Sequence, residues 1–311
     1  MIALHPGVPL VDVVRSGVVE SVHSGHVVIL DGNDVIELGH PGQPLFPRSS
    51  NKPLQATGMR RLGLDIPPPQ LALGAASHSG EPQHVEGVAA MLAAGGFTED
   101  DLGCPPAWPM EDAARTAAVQ PRRLTMNCSG KHAAMLRTCR ANDWPSKGYL
   151  APDHPLQVAL HGTVEDLADE PVAAVGVDGC GAPLFALSLV GLARAFRRIA
   201  TAPDGPERDV ADAMRAHPEL VGGTGRAATR LMTDIPGLIA KDGAEGVFAA
   251  ALPSGAAVAV KIDDGAQRAA ERAVVAALAS VGALDPDLVT APVLGGGEPV
   301  GTIRIRPGLL R

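Results

Sequence analysis

Apolar and polar positions along the chain change their period several times, and each change marks an element. Residues 11–20 and 25–30 are rich in β-branched side chains and predict strands. Asp31-Gly32-Asn33 follows as a hairpin turn signal, and residues 35–38 continue the sheet. A connection through Pro41, Pro44 and Pro47 ends at Arg48-Ser49-Ser50, where a helix starts and runs to about Leu62. Pro67-Pro68-Pro69 interrupts the chain. Helices are predicted over 70–76, over 82–94 (closed by Gly95-Gly96), over 129–143 and over 155–168, with 98–127 irregular. Residues 172–177 read as a short, buried, fully apolar strand, and 184–200 as an amphipathic helix. The second half reads as helix 206–217, a glycine-rich turn over 222–225 and a helix to Met232. Three strands near 238–241, 246–251 and 256–262, a helix over 266–281 and an edge strand over 302–306 complete the pattern.

Strands gathered at both ends, with helices between them, predict an α+β fold. The expected arrangement is one antiparallel sheet made by the N- and C-terminal segments and flanked by helices. A helical subdomain over roughly 50–235 lies between the sheet-forming ends of a single domain spanning 1–311. The 311 residues suffice for a large core, and aromatics at 3% require that core to be aliphatic. A net charge of −8 without a cluster of Lys and Arg argues against a nucleic-acid surface. The N-terminal MIALHPGVPL carries no basic stretch followed by an apolar one, and no uncharged run reaches the ~18–20 residues that span a bilayer. Four cysteines in a chain of this size do not read as a disulfide framework, so a reducing, cytoplasmic location is expected.

Lysine occurs at only five positions: Lys52, Lys131, Lys147, Lys241 and Lys261. An ammonium can give up its proton in a site and a guanidinium effectively cannot, so these lysines point to chemistry. Ser49-Ser50-Asn51-Lys52 places Lys52 one helical turn after Ser49. The amine serves as base for the hydroxyl once its pKa falls from ~10.4 toward ~7–8. That shift costs about 4 kcal/mol at roughly 1.36 kcal/mol per unit, and burial and nearby cations must provide it. The bland alternative is a helix-capping serine beside an exposed lysine.

Lys241-Asp242-Gly243 follows the apolar 238–240 and resembles the K-T-G element that accompanies S-x-x-K in acyl transferases. Ser77-His78-Ser79 and Asn127-Cys128-Ser129 are both candidates for the intervening polar tripeptide. Cys128 and His132, with the distant Cys180 in Asp178-Gly179-Cys180-Gly181, form a plausible zinc arrangement; two buried thiols are the alternative. Cys104 and Cys139 lack such surroundings. Asp178, at a strand end, is placed to orient a lysine or hold a substrate amine. Gly222-Gly223-Thr224-Gly225-Arg226 has no Walker A pattern, so a nucleotide role is unsupported.

The blocks around these residues resemble the asparaginase II family, the L-asparaginases that do not use a threonine nucleophile. They are PRSSNKPLQ from Pro47, ASHSGE from Ala76, NCSGKH from Asn127, DGC from Asp178, HPE from His217, GTGR from Gly223 and KDGA from Lys241. They occur in order over roughly 10–275. The resemblance implies a fold similar to serine β-lactamases and glutaminases. It implies a catalytic set of Ser49, Lys52, Ser77 and Lys241, arranged as a Ser49–Lys52 pair and a second Ser77–Lys241 pair. It further implies substrate-binding roles for Arg48, Glu81 and Asp178. A zinc ion is implied on Cys128, Lys131 and Cys180, which departs from the reading of His132 as a ligand. The implied activity is hydrolysis of L-asparagine to L-aspartate and ammonia by a homodimer, with zinc anchoring the substrate rather than activating water. L-glutamine, a β-lactam, or zinc and amino-acid binding without turnover are the competing readings.

Overall fold

The computed structural model describes residues 5–285 and 291–310. The fold is α+β: a curled antiparallel sheet packed against helices. Its centre is the 14-residue strand β2 (Val18–Asp31). The first half of β2 pairs with β1 (Val8–Arg15), and its last residues pair on the same edge with β3 (Asp34–Leu38). The other edge of β2 pairs with β8 (Ala257–Ile262). Beyond β8 lie β7 (Val247–Ala251) and β6 (Ile239–Gly243). Beyond β1 lie β10 (Glu298–Ile305) and β9 (Ala291–Gly295). N-terminal and C-terminal strands thus interleave in one sheet, as the sequence pattern predicts.

The tight turns explain the register. Gly32-Asn33 closes the predicted β2–β3 hairpin, with Asp31 opposite Asp34. Ser16 and Gly17, with φ of 47° and 83°, close β1 onto β2 inside what the sequence reads as one strand. A two-residue loop with both φ positive matches the right-handed twist of the strands it joins.

Five elements differ from the sequence reading. The terminal strand begins earlier, at Glu298, and is not an edge: β1 and β9 flank it. The pattern did not reveal β9, whose run Ala-Pro-Val-Leu-Gly contains the two residues least favoured in strands. Residues 184–186, read as the start of a helix, belong to β5 (Pro183–Ala186), paired with β4 (Ala174–Val177). Strand β4 is not buried: Val175 is 48% exposed and Val177 78%. The segment read as irregular holds a short helix, α4 (Asp112–Ala117).

Helices α7 (Leu189–Thr201) and α11 (Gln267–Ser280) pack on the sheet through aliphatic side chains. Ser188 caps α7, its hydroxyl accepting the Gly191 N–H at 2.9 Å. Behind α7 lie α1 (Lys52–Arg61), α2 (Pro68–Gly74), α3 (Pro82–Ala94), α5 (Ser129–Ala141), α6 (Pro155–Ala168) and α8 (Gly205–Ala216). Apolar side chains of the sheet and of these helices form one continuous cluster. Among the described residues no helix is long and apolar enough to cross a membrane.

Candidate active site

A single 3-10 turn, Arg48–Asn51, carries the chain from the proline-rich connection into α1. It lies against β6 because Gly243 presents bare backbone there. A Cβ on Gly243 would stand 2.4 Å from the Pro47 carbonyl oxygen. Ser50 tightens the turn by donating to that carbonyl at 2.6 Å. Arg48 has φ of 53°, a left-handed backbone that costs a non-glycine residue roughly 1–2 kcal/mol. Such strain concentrates at functional sites. Ser49 is half-buried next to it, and Lys52, one turn on, is fully buried.

Lys52 reaches from α1 to the 76–80 segment that ends the α2 region. Its Nζ donates to the Ala76 carbonyl at 2.5 Å and to Ser77 Oγ at 2.9 Å. Lys241, on β6, is also buried, and its Nζ donates to the Asp242 carboxylate at 2.8 Å and to the Asp242 carbonyl at 2.7 Å. The implied second pair of Ser77 and Lys241 is therefore not joined by a hydrogen bond: Ser77 bonds Lys52, and Lys241 is turned to Asp242. Burial and the positive charges of Lys52 and Arg226 outweigh the Asp242 carboxylate and lower the Lys241 pKa to about 8. Asn51, equally buried, has neither side-chain amide atom in a hydrogen bond.

The walls around Ser77 are tied together by side-chain hydrogen bonds. His78 Nε2 donates to Ser129 Oγ at 2.8 Å, because that hydroxyl donates onward to the Leu124 carbonyl. Complete burial, the nearby His84 and the Lys52 charge keep His78 neutral, well below its ordinary range. Its ring stacks on His84, with centroids 5.1 Å apart. Glu81 caps α3, and its carboxylate accepts the Thr224 N–H at 2.7 Å and the Thr224 hydroxyl at 2.9 Å. Glu81 is thus committed to the glycine-rich turn. Gly223 of that turn, at φ 121°, leaves no room for a side chain: a Cβ would stand 2.0 Å from Ser79 Oγ.

A second cluster adjoins the first. Cys128 immediately precedes α5, Lys131 sits in its first turn, and Cys180 follows β4. All three are buried, and Lys131 Nζ is 3.2 Å from Cys180 Sγ. A hydrogen bond from Cys180 and the charges of Lys52 and Lys131 hold the Cys128 thiol well below its ordinary range, against the opposing effect of burial. The Lys131 ammonium is disfavoured by burial, yet Cys180, Cys128 and Asp178 raise its pKa overall. Burial would raise the Asp178 pKa, but Lys131 and a 2.9 Å bond from Arg48 Nε lower it. Arg48 and Asp178, both implied to bind substrate, thus link the serine turn to the thiols.

His132 does not point its ring simply at the thiols. Tyr149 Oη accepts the Gly103 N–H at 2.8 Å and donates to His132 Nδ1 at 2.7 Å. His132 Nε2 is buried beside Cys180, which interacts with it without reaching full hydrogen-bond geometry. Cys104, which the sequence set aside, also lies at this cluster: burial first, then the Cys180 charge, push its thiol up to about 11. Its Gly-Cys-Pro context carries no signal for that placement. Cys139 is a buried core thiol on α5.

Among the described residues no three or more His, Cys, Asp or Glu side chains are arranged to hold a metal. The set implied for zinc uses only two of those types, with a lysine as the third ligand. Two buried sulfurs, one of them leaning to thiolate, and an amine within 3.2 Å of the other suit the chemistry of zinc. The His132 imidazole beside Cys180 adds a further polar group to the same cluster. Lys131 must surrender its proton to ligate.

The family model for L-asparaginase II matches residues 11–305 of the chain. The chain belongs to this family. No curated protein matches the sequence. Asparaginase-type amidohydrolase activity follows from membership, and a small-molecule amide as substrate with it.

Proposed function

We propose that the chain hydrolyses L-asparagine to L-aspartate and ammonia through a serine ester. The observation that carries the reading is the buried Lys52, set one turn after Ser49 with its Nζ 2.9 Å from Ser77 Oγ. Lys52 as neutral amine takes the Ser49 proton while Ser49 Oγ attacks the side-chain amide carbon. The proton passes along the existing bond to Ser77, which protonates the departing nitrogen, so that ammonia leaves and the aspartyl ester remains. Water then adds to the ester with a lysine as base, and the proton returned to Ser49 frees aspartate. Arg48 bonds Asp178 through Nε, with its Nη1 3.9 Å from Glu245 Oε1, and its remaining N–H groups suit the substrate carboxylate. Asp178 suits the substrate ammonium.

Cys128, Lys131 and Cys180 would hold the zinc. When bound, the metal supplies positive charge that anchors the substrate beside the serine turn. Anchoring of this kind contributes to KM more than to kcat.

The test is ammonia release from L-asparagine and L-glutamine, with wild type and Ser49→Ala compared. Rapid release from asparagine that disappears in the variant is expected. Faster release from glutamine would replace the substrate, because one methylene gives only ~1–3 kcal/mol of discrimination. Undiminished release by Ser49→Ala would remove the serine ester. No release from either amide would leave chromogenic β-lactams as the next substrates to measure.

A further inference from the structure

The Asp242 carboxylate is divided between two cations on opposite sides. Oδ1 accepts from Lys241 Nζ at 2.8 Å, and Oδ2 accepts from Arg226 Nη2 at 2.8 Å. Arg226 stands at the start of α10 (Ala227–Asp234), directly after the glycine-rich turn that Thr224 fastens to Glu81. One path of hydrogen bonds and backbone therefore runs from Glu81, beside the serine site, through Thr224 and Arg226 to Asp242 and Lys241. Lys241 is parked at the end of that path and makes no bond to Ser77.

We propose that Asp242 is the positioning residue that holds Lys241, and that Arg226 sets how tightly by claiming the other carboxylate oxygen. Neither touches substrate in this reading. The proposal rests on the serine-ester reading above, takes Lys241 as the lysine base of its second step, and deepens that role. With Arg226 in place, Lys241 shares its counter-charge and can be released toward Ser77. Without Arg226, the whole carboxylate falls to Lys241 and fixes its ammonium in the parked position.

Among the described residues, the charged groups that act most on Lys241 are Asp242 on β6 itself, Lys52 from α1 and Arg226 at the start of α10. Behind Asp242, Glu271 on α11 faces Arg230, Arg272, Asp242 and Arg226. Arg226 and Lys52 favour the neutral amine and Asp242 favours the ammonium. Removing Asp242 or removing Arg226 must therefore move Lys241 in opposite directions. A merely structural role for either residue predicts no such opposition.

The experiment is a pH titration of the full chain carrying lysine labelled with 13C at Cε, in wild type, Asp242→Asn, Arg226→Met and Arg226→Lys. Only five lysines contribute signals, and Lys241→Met assigns the one that matters. In parallel, the acid limb of kcat/KM for L-asparagine is measured on each protein. In Asp242→Asn the Lys241 titration and the limb are expected to move down by about one unit or more. In Arg226→Met both are expected to move up by a smaller amount, and Arg226→Lys, which keeps the charge, is expected to restore the wild-type values. Shifts in the same direction, or none, in the two charge-removing variants overturn the proposal. Absence of asparagine hydrolysis in wild type defeats the proposed function instead, and the titration then still decides whether the clamp exists. A variant that fails to fold shows no dispersed lysine signals, and Arg226→Gln then replaces Arg226→Met.

Discussion

Two lysines in this molecule are buried to the same extent and driven in opposite directions. Lys241 faces two other cations and one shared carboxylate, and its pKa falls to about 8. Lys131 faces two thiols and Asp178, and its pKa rises. Burial alone lowers both. The difference teaches that the company of a buried amine, and not its burial, decides its use. A lysine among cations is prepared to act as a base. A lysine among sulfurs is held as an ammonium until something more positive displaces its proton, and a divalent metal ion is such a competitor.

The largest test of that contrast substitutes each lysine by methionine, which preserves the aliphatic volume. Lys52→Met or Lys241→Met removes a proton carrier, and kcat/KM for L-asparagine is expected to fall by about 10²–10⁴-fold. In wild type the acid limb should rise toward pH about 8, since a base titrating there is neutral only above it. A limb near neutrality that stays in place in Lys241→Met would detach it from Lys241.

A smaller effect is expected at the thiols. Lys131→Met and Cys180→Ser should each lower zinc retention, measured as metal content after dialysis, by about 10–100-fold in affinity or more. KM should rise more than kcat falls. An equal loss of kcat and kcat/KM would show the cluster acting in the chemical step rather than in anchoring. Full zinc occupancy in Lys131→Met would leave the amine as a charge partner of the sulfurs and not a ligand.

The sequence makes the two regions legible to different degrees. Strand-rich ends around a helical middle bring Lys52 and Lys241 close enough for their charges to interact, because β6 lies beside the turn that precedes α1. Order of residues and hydrophobic period carry that much. Hydrogen-bond partners are not in the pattern: the bond from Lys52 to Ser77 and the parking of Lys241 on Asp242 depend on where β6 meets the 3-10 turn. Cys104 shows the same gap. It is 24 residues from Cys128 in sequence, in a segment without periodicity, and only the tertiary fold brings it near Cys180. Strand β9 was hidden because Pro292 and Gly295 carry the sign of a loop, and its pairing with β10 overrides that sign.

The glycine-rich turn separates the two regions most cleanly, and the smallest perturbation tests it. The turn touches the serine side alone, through Ser79, Glu81 and, by way of Arg226, Asp242. Among the described residues, none of its hydrogen bonds reaches Cys128, Lys131 or Cys180. Gly223→Ala places a methyl group where Ser79 Oγ stands, at a backbone angle that L side chains rarely adopt. The expected cost is about 1–3 kcal/mol of stability, read by denaturant unfolding. The displaced turn should loosen Arg226 from Asp242, so kcat should fall and the acid limb should move upward, as in Arg226→Met. Zinc content should be unchanged. If zinc is lost together with kcat, the two lysine environments respond as one unit, and their opposite pKa shifts describe a single coupled site.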